Sequence, residues 1–233
     1  MTNNIKYRHE FKYQCSEAQL AIIQSRIETF LQHDPHAKNG QYTIRSMYFD
    51  NYAHRCFFEN ESGTSPREKF RIRIYNSSDQ RISLECKRKE YDKIYKTSCL
   101  LTMQEYEDIL QGGNFTDLDQ KPTLLKKFVI LLRTQQYKPA VIVEYDRTPY
   151  IYPIGNVRIT LDKNIRLSTD FEHFFSPNIA TRPIMPQGHH LLEVKYDELL
   201  PTYIENVLQL KDLQRTTFSK FYLCRKLSIG GRI

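Results

Sequence analysis

The nine residues Arg67–Tyr75, read REKFRIRIY, constrain this chain more than any other stretch. Phe70, Ile72 and Ile74 alternate with Arg71, Arg73 and Tyr75. A period of two is the signature of a β-strand, whose successive side chains point to opposite faces. One face is apolar and can pack on a core. The other holds two guanidiniums about 7 Å apart, two strand residues at ~3.3 Å each. A fold built on such a strand must present a purely cationic surface on one side of a sheet. The same feature recurs along the chain.

Length allows one large or two small domains at 233 residues. No internal repeat, low-complexity segment or Pro/Gly/Ser-rich linker divides it, so a single domain over residues 1–233 is predicted. A compact chain of this size buries roughly 70% of its unfolded surface and needs no disulfide or metal staple. Lys plus Arg is 34 against 27 Asp plus Glu, a net +7 that suits an anionic partner. Cys15, Cys56, Cys86, Cys99 and Cys224 are scattered, with neither CxxC nor Cys/His spacing. A reduced, cytoplasmic protein is the simple expectation. No apolar run approaches ~18 residues, so no transmembrane segment is expected. The opening MTNNIKYRHEF lacks the apolar core of a signal peptide.

Taken in order, Lys6 to Tyr13 reads as a strand. Ser16 and Gln19 have capping-box spacing ahead of a helix carrying Leu20, Ile23, Ile27, Phe30 and Leu31 and ending by Pro35. Tyr42 to Asp50 is a strand with Thr43, Arg45, Met47 and Phe49 on one face; a short helix follows over Tyr52 to Glu59. Phe70 to Tyr75 and Arg81 to Lys89 form a hairpin around Asn76-Ser-Ser-Asp79. Ile94 to Leu101 is the next strand. Thr102 and Glu105 open a helix that Gly112-Gly113 ends, and Leu124 to Leu132 is apolar nearly all round. Strands are expected at Ala140 to Tyr145, Val157 to Ile165 and Leu191 to Tyr196, then helices near Pro201 to Leu210 and Thr216 to Ser228. The count is about eight strands with helices around them.

The polar positions of these strands carry Arg8, Glu10, Lys12, Arg45, Arg71, Arg73, Glu85, Lys87, Lys89, Lys96, Arg147, Arg158, Asp162, Glu193 and Lys195. Singly, each is most simply a solvated strand residue. As a set, the same sign returns strand after strand. One curved antiparallel sheet would gather these side chains on its concave side, and a closed one would place them inside a barrel. Two like charges 7 Å apart repel by roughly 2 kcal/mol at an effective dielectric of about 20. A polyanion relieves that repulsion, and the planar fork of Arg matches phosphate oxygens. Carboxylates among phosphates commonly hold Mg²⁺ or Mn²⁺.

At this point the motifs resemble a known family. Tyr7-Arg-His-Glu-Phe-Lys12, Ile44-Arg-Ser-Met-Tyr-Phe-Asp50, Arg67-Glu-Lys-Phe-Arg-Ile-Arg73, Leu84-Glu-Cys-Lys-Arg-Lys89, Val143-Glu-Tyr-Asp-Arg147, Val157-Arg-Ile-Thr-Leu-Asp162 and Leu192-Glu-Val-Lys-Tyr196 are similar to the VTC domain. This is the polyphosphate polymerase domain of the triphosphate tunnel metalloenzymes. The resemblance implies an α+β fold: an eight-stranded antiparallel β-barrel, the triphosphate tunnel, with surrounding helices. It implies that Lys12, Arg45, Arg71, Arg73, Lys87, Lys89, Lys96, Arg147, Arg158 and Lys195 grip phosphates. Arg71, Arg73, Lys87, Arg147 and Arg158 would do so at the reacting centre. Tyr145 would line the tunnel, and Ser219 and Lys220 would reach it from the C-terminal helix. Glu193 would bind Mn²⁺ or Mg²⁺, with Glu10 and Glu85 as helpers. Two departures stand out. Position 8 is Arg where the related CYTH branch has the first Glu of ExExK, which favours the polymerase branch. Thr217 stands where eukaryotic polymerases usually carry a lysine.

The implied activity is metal-dependent transfer of the γ-phosphate of ATP to a growing polyphosphate chain. The partners are ATP and inorganic polyphosphate, and export would need a separate membrane protein. Hydrolysis of triphosphate or short polyphosphate in the same tunnel is the first alternative, and a non-catalytic polyphosphate-binding module the second. Nucleic acid is not expected, because the basic residues alternate with aliphatics and not with stacking aromatics. His9 reads as a structural residue, and His189-His190 as a solvated loop pair.

Overall fold

The structure is a computed structural model that describes residues 9–91, 93–208 and 213–230. Among the described residues ten strands and six α-helices follow one another as β1 His9–Ser16, α1 Glu17–Ile27, β2 Gln32–His33, β3 Tyr42–Asp50, α2 Arg55–Glu61, β4 Arg67–Tyr75, β5 Ser78–Glu90, β6 Lys93–Leu101, α3 Met103–Leu110, α4 Thr123–Gln135, β7 Lys138–Tyr152, β8 Val157–Ser168, β9 Arg182–Pro183, β10 His189–Tyr196, α5 Thr202–Leu208 and α6 Lys220–Gly230. Both expected capping boxes form. Ser16 accepts from the Gln19 amide while the Gln19 side chain returns to Ser16, and Thr102 and Glu105 do the same. The β4–β5 hairpin turns through Asn76 and Ser77, both at positive φ, as a two-residue turn of that twist requires.

The hydrogen-bonded strand order is β1-β10-β8-β7-β3-β4-β5-β6, with β2 on β7 and β9 on β8. The expected eight-stranded closed barrel is thereby corrected. Among the described residues the sheet has two ends, β1 and β6, that do not pair with each other. Closure needs a hydrogen-bonded register between first and last strands, and alternation within strands carries no information about that.

The chain divides into two compact units. The first takes the described residues of Met1–Thr43, Tyr145–Ile165 and Met185–Phe218. Here β1 and β10 pair antiparallel, Lys12 opposite Glu193, and β10 pairs β8, Glu193 opposite Thr160. The other phase of these strands is apolar. Ile159, Leu161, Leu192 and Val194 form one buried cluster with Leu20, Ile23 and Ile27 of α1 and Ile204 and Leu208 of α5. The second unit takes the described residues of Ile44–Glu144, Arg166–Ile184 and Ser219–Ile233. Its strands β3, β4, β5 and β6 pair antiparallel in sequence order. Phe70 of β4 stacks on Phe128 of α4 at 5.0 Å, and Phe49 of β3 meets the same ring edge-on at 4.9 Å. In the first unit α1 and α5, and in the second α4, lie against the apolar phase of the strands.

The C-terminal helix starts at Lys220, later than the predicted Thr216, because the Ser219 hydroxyl accepts from the Tyr222 amide and caps it there. The N-terminal helix ends at Ile27, short of Pro35. Part of the predicted first strand, Lys6 to Arg8, and the last two residues of the Pro201 to Leu210 helix lie outside the described residues. No described helix is long and apolar enough to cross a membrane. All five cysteines are free.

The turn between β7 and β8 has little room for change. Gly155 holds φ at +71°, and a β-carbon there would come 2.5 Å from the Leu199 carbonyl oxygen. Gly155→Ala therefore meets both left-handed backbone strain of about 1–2 kcal/mol and a backbone contact that cannot yield. Thermal denaturation should show a melting temperature lower by roughly 2–4 °C per kcal/mol lost. An unchanged transition would mean that this turn does not hold the first unit together.

Candidate functional site

In the second unit the polar phase of β4, β5 and β6 forms cross-strand rows. Lys69, Lys87 and Lys96 stand opposite one another in one row. Arg71, Glu85 and Ser98 form the next, and Arg73 and Ser83 the one after. Arg67 and Lys89 pair at the near end. Directly opposed like charges destabilise a sheet. Against the cations of these rows the three strands set a single carboxylate, Glu85.

Glu85 is buried, and three cations reach it. Arg71 Nη2 lies 2.6 Å from its carboxylate, Lys96 Nζ 2.6 Å and Arg73 Nη1 3.8 Å. Arg71 also donates to the Tyr48 hydroxyl at 2.6 Å, and Arg73 to the Ser46 hydroxyl at 3.1 Å. Burial alone would raise the Glu85 carboxyl, but Arg73, Arg71 and Lys96 outweigh it and hold the pKa down to about 2. The carboxylate fixes the aim of two guanidiniums. Lys69 donates to Asn60, lies 3.4 Å from the Ser219 hydroxyl and sits 5.0 Å over the Phe221 ring. Ser219 thus joins this face from the foot of α6, and Lys220 is the first residue of that helix.

Arg45 does not join it. Its register partner is Ile74, on the apolar phase. There the guanidinium is 1% exposed, pairs with Glu144 and donates at 2.7 Å to the carbonyls of both Phe174 and Ser176. The expectation that Arg45 shares the cationic face is corrected. Its donors are committed to Glu144 and to the loop beyond β8. Arg166 binds the second oxygen of Glu144 at 2.7 Å.

The first unit gathers a different set. Across β1, β10 and β8 the polar rows read Glu10, Lys195, Arg158 and then Lys12, Glu193, Thr160. Arg147 grips Asp162 through both nitrogens of its fork, at 2.6 and 2.7 Å, and reaches Glu193 at 3.4 Å. It also lies 5.2 Å over the Tyr145 ring. Lys195 approaches Glu193 at 3.1 Å and Lys12 at 4.0 Å, while Lys12 also holds Glu10 at 3.1 Å. Lys12 further donates to the Phe218 carbonyl at 2.8 Å. Arg158 points to Asp34 at 2.8 Å and to the Tyr42 hydroxyl at 3.3 Å. His9 stacks on Tyr196, and His190 pairs with Glu17.

The two glutamates differ as metal donors. Near Glu85 the three strands offer only cations. Near Glu193 stand Glu10 and Asp162, each bridged to it by one cation. No group of three or more Asp, Glu, His or Cys closes into a protein cage among the described residues. That donor set fits Mg²⁺ or Mn²⁺ held by one or two carboxylates and completed by phosphate oxygens, the usual manner for Mg²⁺.

Sequence reading overlooked Lys69, which shares the phase of Arg71 and could have been counted. It also overlooked Asp34, Glu144 and Tyr48, whose roles rest on contacts between distant segments. One titration follows. Because the folded pKa of Glu85 lies below the ordinary 4.5, its contribution to stability is complete above pH 4.5 and is lost as pH falls toward 2. The shift corresponds to about 3 kcal/mol. Urea denaturation across that pH window should show Glu85→Gln with a flatter acid limb than the unsubstituted protein. Superimposable limbs would remove Glu85 as the anchor of the arginines.

Comparison with known proteins concerns the fold and the family. Among curated proteins, none matches the chain by sequence. A candidate adenylate cyclase from Bacillus halodurans superposes with a TM-score of 0.55 at 13% identity, over 92% of this chain and 94% of that one. The PH1819 protein of Pyrococcus horikoshii OT3 superposes with a TM-score of 0.52 at 16% identity, over 94% and 99%. At such identities the likeness is one of fold. The sequence profile described as the VTC domain matches residues 7–229, nearly the whole length. The chain belongs to the VTC domain family.

Proposed function

We propose that this chain is a metal-dependent polyphosphate polymerase that transfers the γ-phosphate of ATP to a growing polyphosphate chain. One observation carries the reading. The lysine row Lys69–Lys87–Lys96 adjoins Arg71 and Arg73 on one sheet face, and the carboxylate within those rows is Glu85. Such a face is under electrostatic strain until an anion of high charge density covers it. Membership of the VTC family supports a polyphosphate or triphosphate ligand for it.

In the proposed reaction a terminal oxygen of polyphosphate attacks the γ-phosphorus of ATP. A new P–O bond forms, the bond to the β-phosphate oxygen breaks, and ADP leaves with that electron pair. No side chain needs to act as nucleophile. Arg71 and Arg73, held by Glu85, present fixed forks to non-bridging oxygens. Lys87 and Lys96 supply further positive charge, with Lys89, Ser219 and Lys220 as further phosphate contacts. In the other unit Lys12, Arg147, Arg158 and Lys195 are assigned to phosphate and Tyr145 to the wall beside Arg147. Glu193 with Glu10 would hold Mn²⁺ or Mg²⁺, which neutralises phosphate charge when bound. Glu85 is assigned to aiming the arginines. Arg45, committed to Glu144 and two carbonyls, is assigned to stability.

The decisive assay incubates the protein with ATP and Mn²⁺ and quantifies ADP, phosphate and acid-insoluble polymer together. ADP and polymer in step are expected. Free phosphate with no polymer would replace the proposal by hydrolysis, and tight binding without ADP would replace it by a binding module. Arg73→Gln should lower polymer formation by about 10²–10³, the effect of removing one donor at a developing charge, and Glu193→Gln should lower it by weakening the hold on the metal ion. Circular dichroism should show both variants folded. Full activity in either would take that residue out of the site.

A further inference from the structure

One side chain in the first unit has a chemical capacity that nothing in the fold uses. Thr160 is 1% exposed, and its Oγ1 has no hydrogen-bond partner among the described residues. Most buried hydroxyls find a partner, and leaving one unsatisfied costs about 1–3 kcal/mol. Valine would fill the same volume without that cost. Thr160 therefore adds an unused donor and acceptor at a strand position where an apolar residue would serve stability better.

Its place gives the hydroxyl a context. Thr160 stands opposite Glu193 on β10, and Glu193 stands opposite Lys12 on β1, so the three share one row and one face. Two residues away on the same strand face lies Arg158, whose Nε is also buried without a partner. Two residues the other way lies Asp162, locked to Arg147. The face of β8 thus offers two unspent donors, Arg158 Nε and Thr160 Oγ1, on strand positions about 7 Å apart, two residues at ~3.3 Å each. Both can donate, and a fully ionised phosphate oxygen can only accept. The carboxylates of the row are already matched by Lys12, Lys195 and Arg147. A ligand that brings further acceptors is what these two donors lack.

We propose that Thr160 is a phosphate-binding residue, its hydroxyl donating to a non-bridging oxygen of a triphosphate or polyphosphate that runs along β8 beside Glu193. The inference rests on the phosphate-handling reading above and adds to it a residue that neither charge pattern nor family resemblance singled out. Lys12 and Lys195 carry flexible stems, so their ammonium groups can turn onto the entering phosphate and open the row to it. A charged ligand would desolvate this face, where a donated hydrogen bond to an ionised oxygen is worth about twice a neutral one.

The test compares Thr160→Val and Thr160→Ser with the unsubstituted protein. Titration calorimetry with inorganic triphosphate and Mn²⁺ reads binding without needing turnover, and thermal denaturation without ligand reads stability. Thr160→Val should bind about tenfold more weakly while melting at the same or a higher temperature. Thr160→Ser should restore most of the affinity. Equal binding by Thr160→Val overturns the proposal, as does a Thr160→Ser protein as weak as Thr160→Val. So does a Thr160→Val protein whose melting temperature falls, since the hydroxyl would then have a structural partner. Triphosphate binding with no polymer from ATP would overturn the polymerase and leave this assignment standing. Polymer synthesis with unaltered Thr160→Val binding would do the reverse.

Discussion

Everything on the polar side of this sheet depends on how a few buried carboxylates hold many cations in place. Glu85 and Glu193 each sit at the centre of such a cluster, one in each unit. Each is almost fully buried, and each is approached by three positive groups: Arg71, Arg73 and Lys96 in one case, Arg147, Lys195 and Lys12 in the other. A buried carboxylate without partners would take up a proton. Surrounded by cations Glu85 stays ionised, and in return it fixes side chains that would otherwise scatter. The cations outnumber it, so the face is pre-aimed and under-neutralised at once. That combination is what an anion-binding surface requires, because the cost of ordering the donors is met before the ligand arrives.

The arrangement is tolerable only because the other phase of the same strands is so well packed. Lys69, Lys87 and Lys96 repel one another across adjacent strands. One position along from Lys69, Phe70 stacks against Phe128. Ile72 and Leu84, opposite each other, are fully buried. In the first unit the residues that alternate with Arg158, Thr160 and Asp162 are Val157, Ile159 and Leu161, all buried under α1 and α5. Burial of a large aliphatic side chain is worth about 1.5–3 kcal/mol. A pair of like charges at this spacing costs about 2. The alternation therefore sets apolar burial on one side of a strand against charge on the other.

That alternation was the part most legible in the sequence. Strand phases followed from it, while the capping boxes and the hairpin after Tyr75 were read from their own residues and the family from motif resemblance. Register did not. Arg45 shows the limit. Its own strand pattern placed it with Thr43, Met47 and Phe49, which is the apolar phase, yet its charge drew it into the cationic set. Only its pairing opposite Ile74 reveals an arginine buried beneath the sheet and bound to Glu144 and two loop carbonyls. The strand from Lys138 outlasted its predicted end because Ile151 and Tyr150 pair with Gln32 and His33, a two-residue strand too short to leave a periodic trace. Barrel closure failed for the same reason: it concerns which strands meet, and no local pattern encodes that.

The two glutamate clusters also show why charge sign alone underdetermines chemistry. Counting residues makes Glu85 and Glu193 equivalent, each an acid among bases. Their neighbours separate them. Glu85 has no second carboxylate within its rows, so adding a divalent cation there would deepen the excess of positive charge. Glu193 has Glu10 beyond Lys12 and Asp162 beyond Arg147, so acids and bases alternate through space. Glu85 is thus an acid enclosed by cations, and Glu193 an acid in a set where both signs alternate.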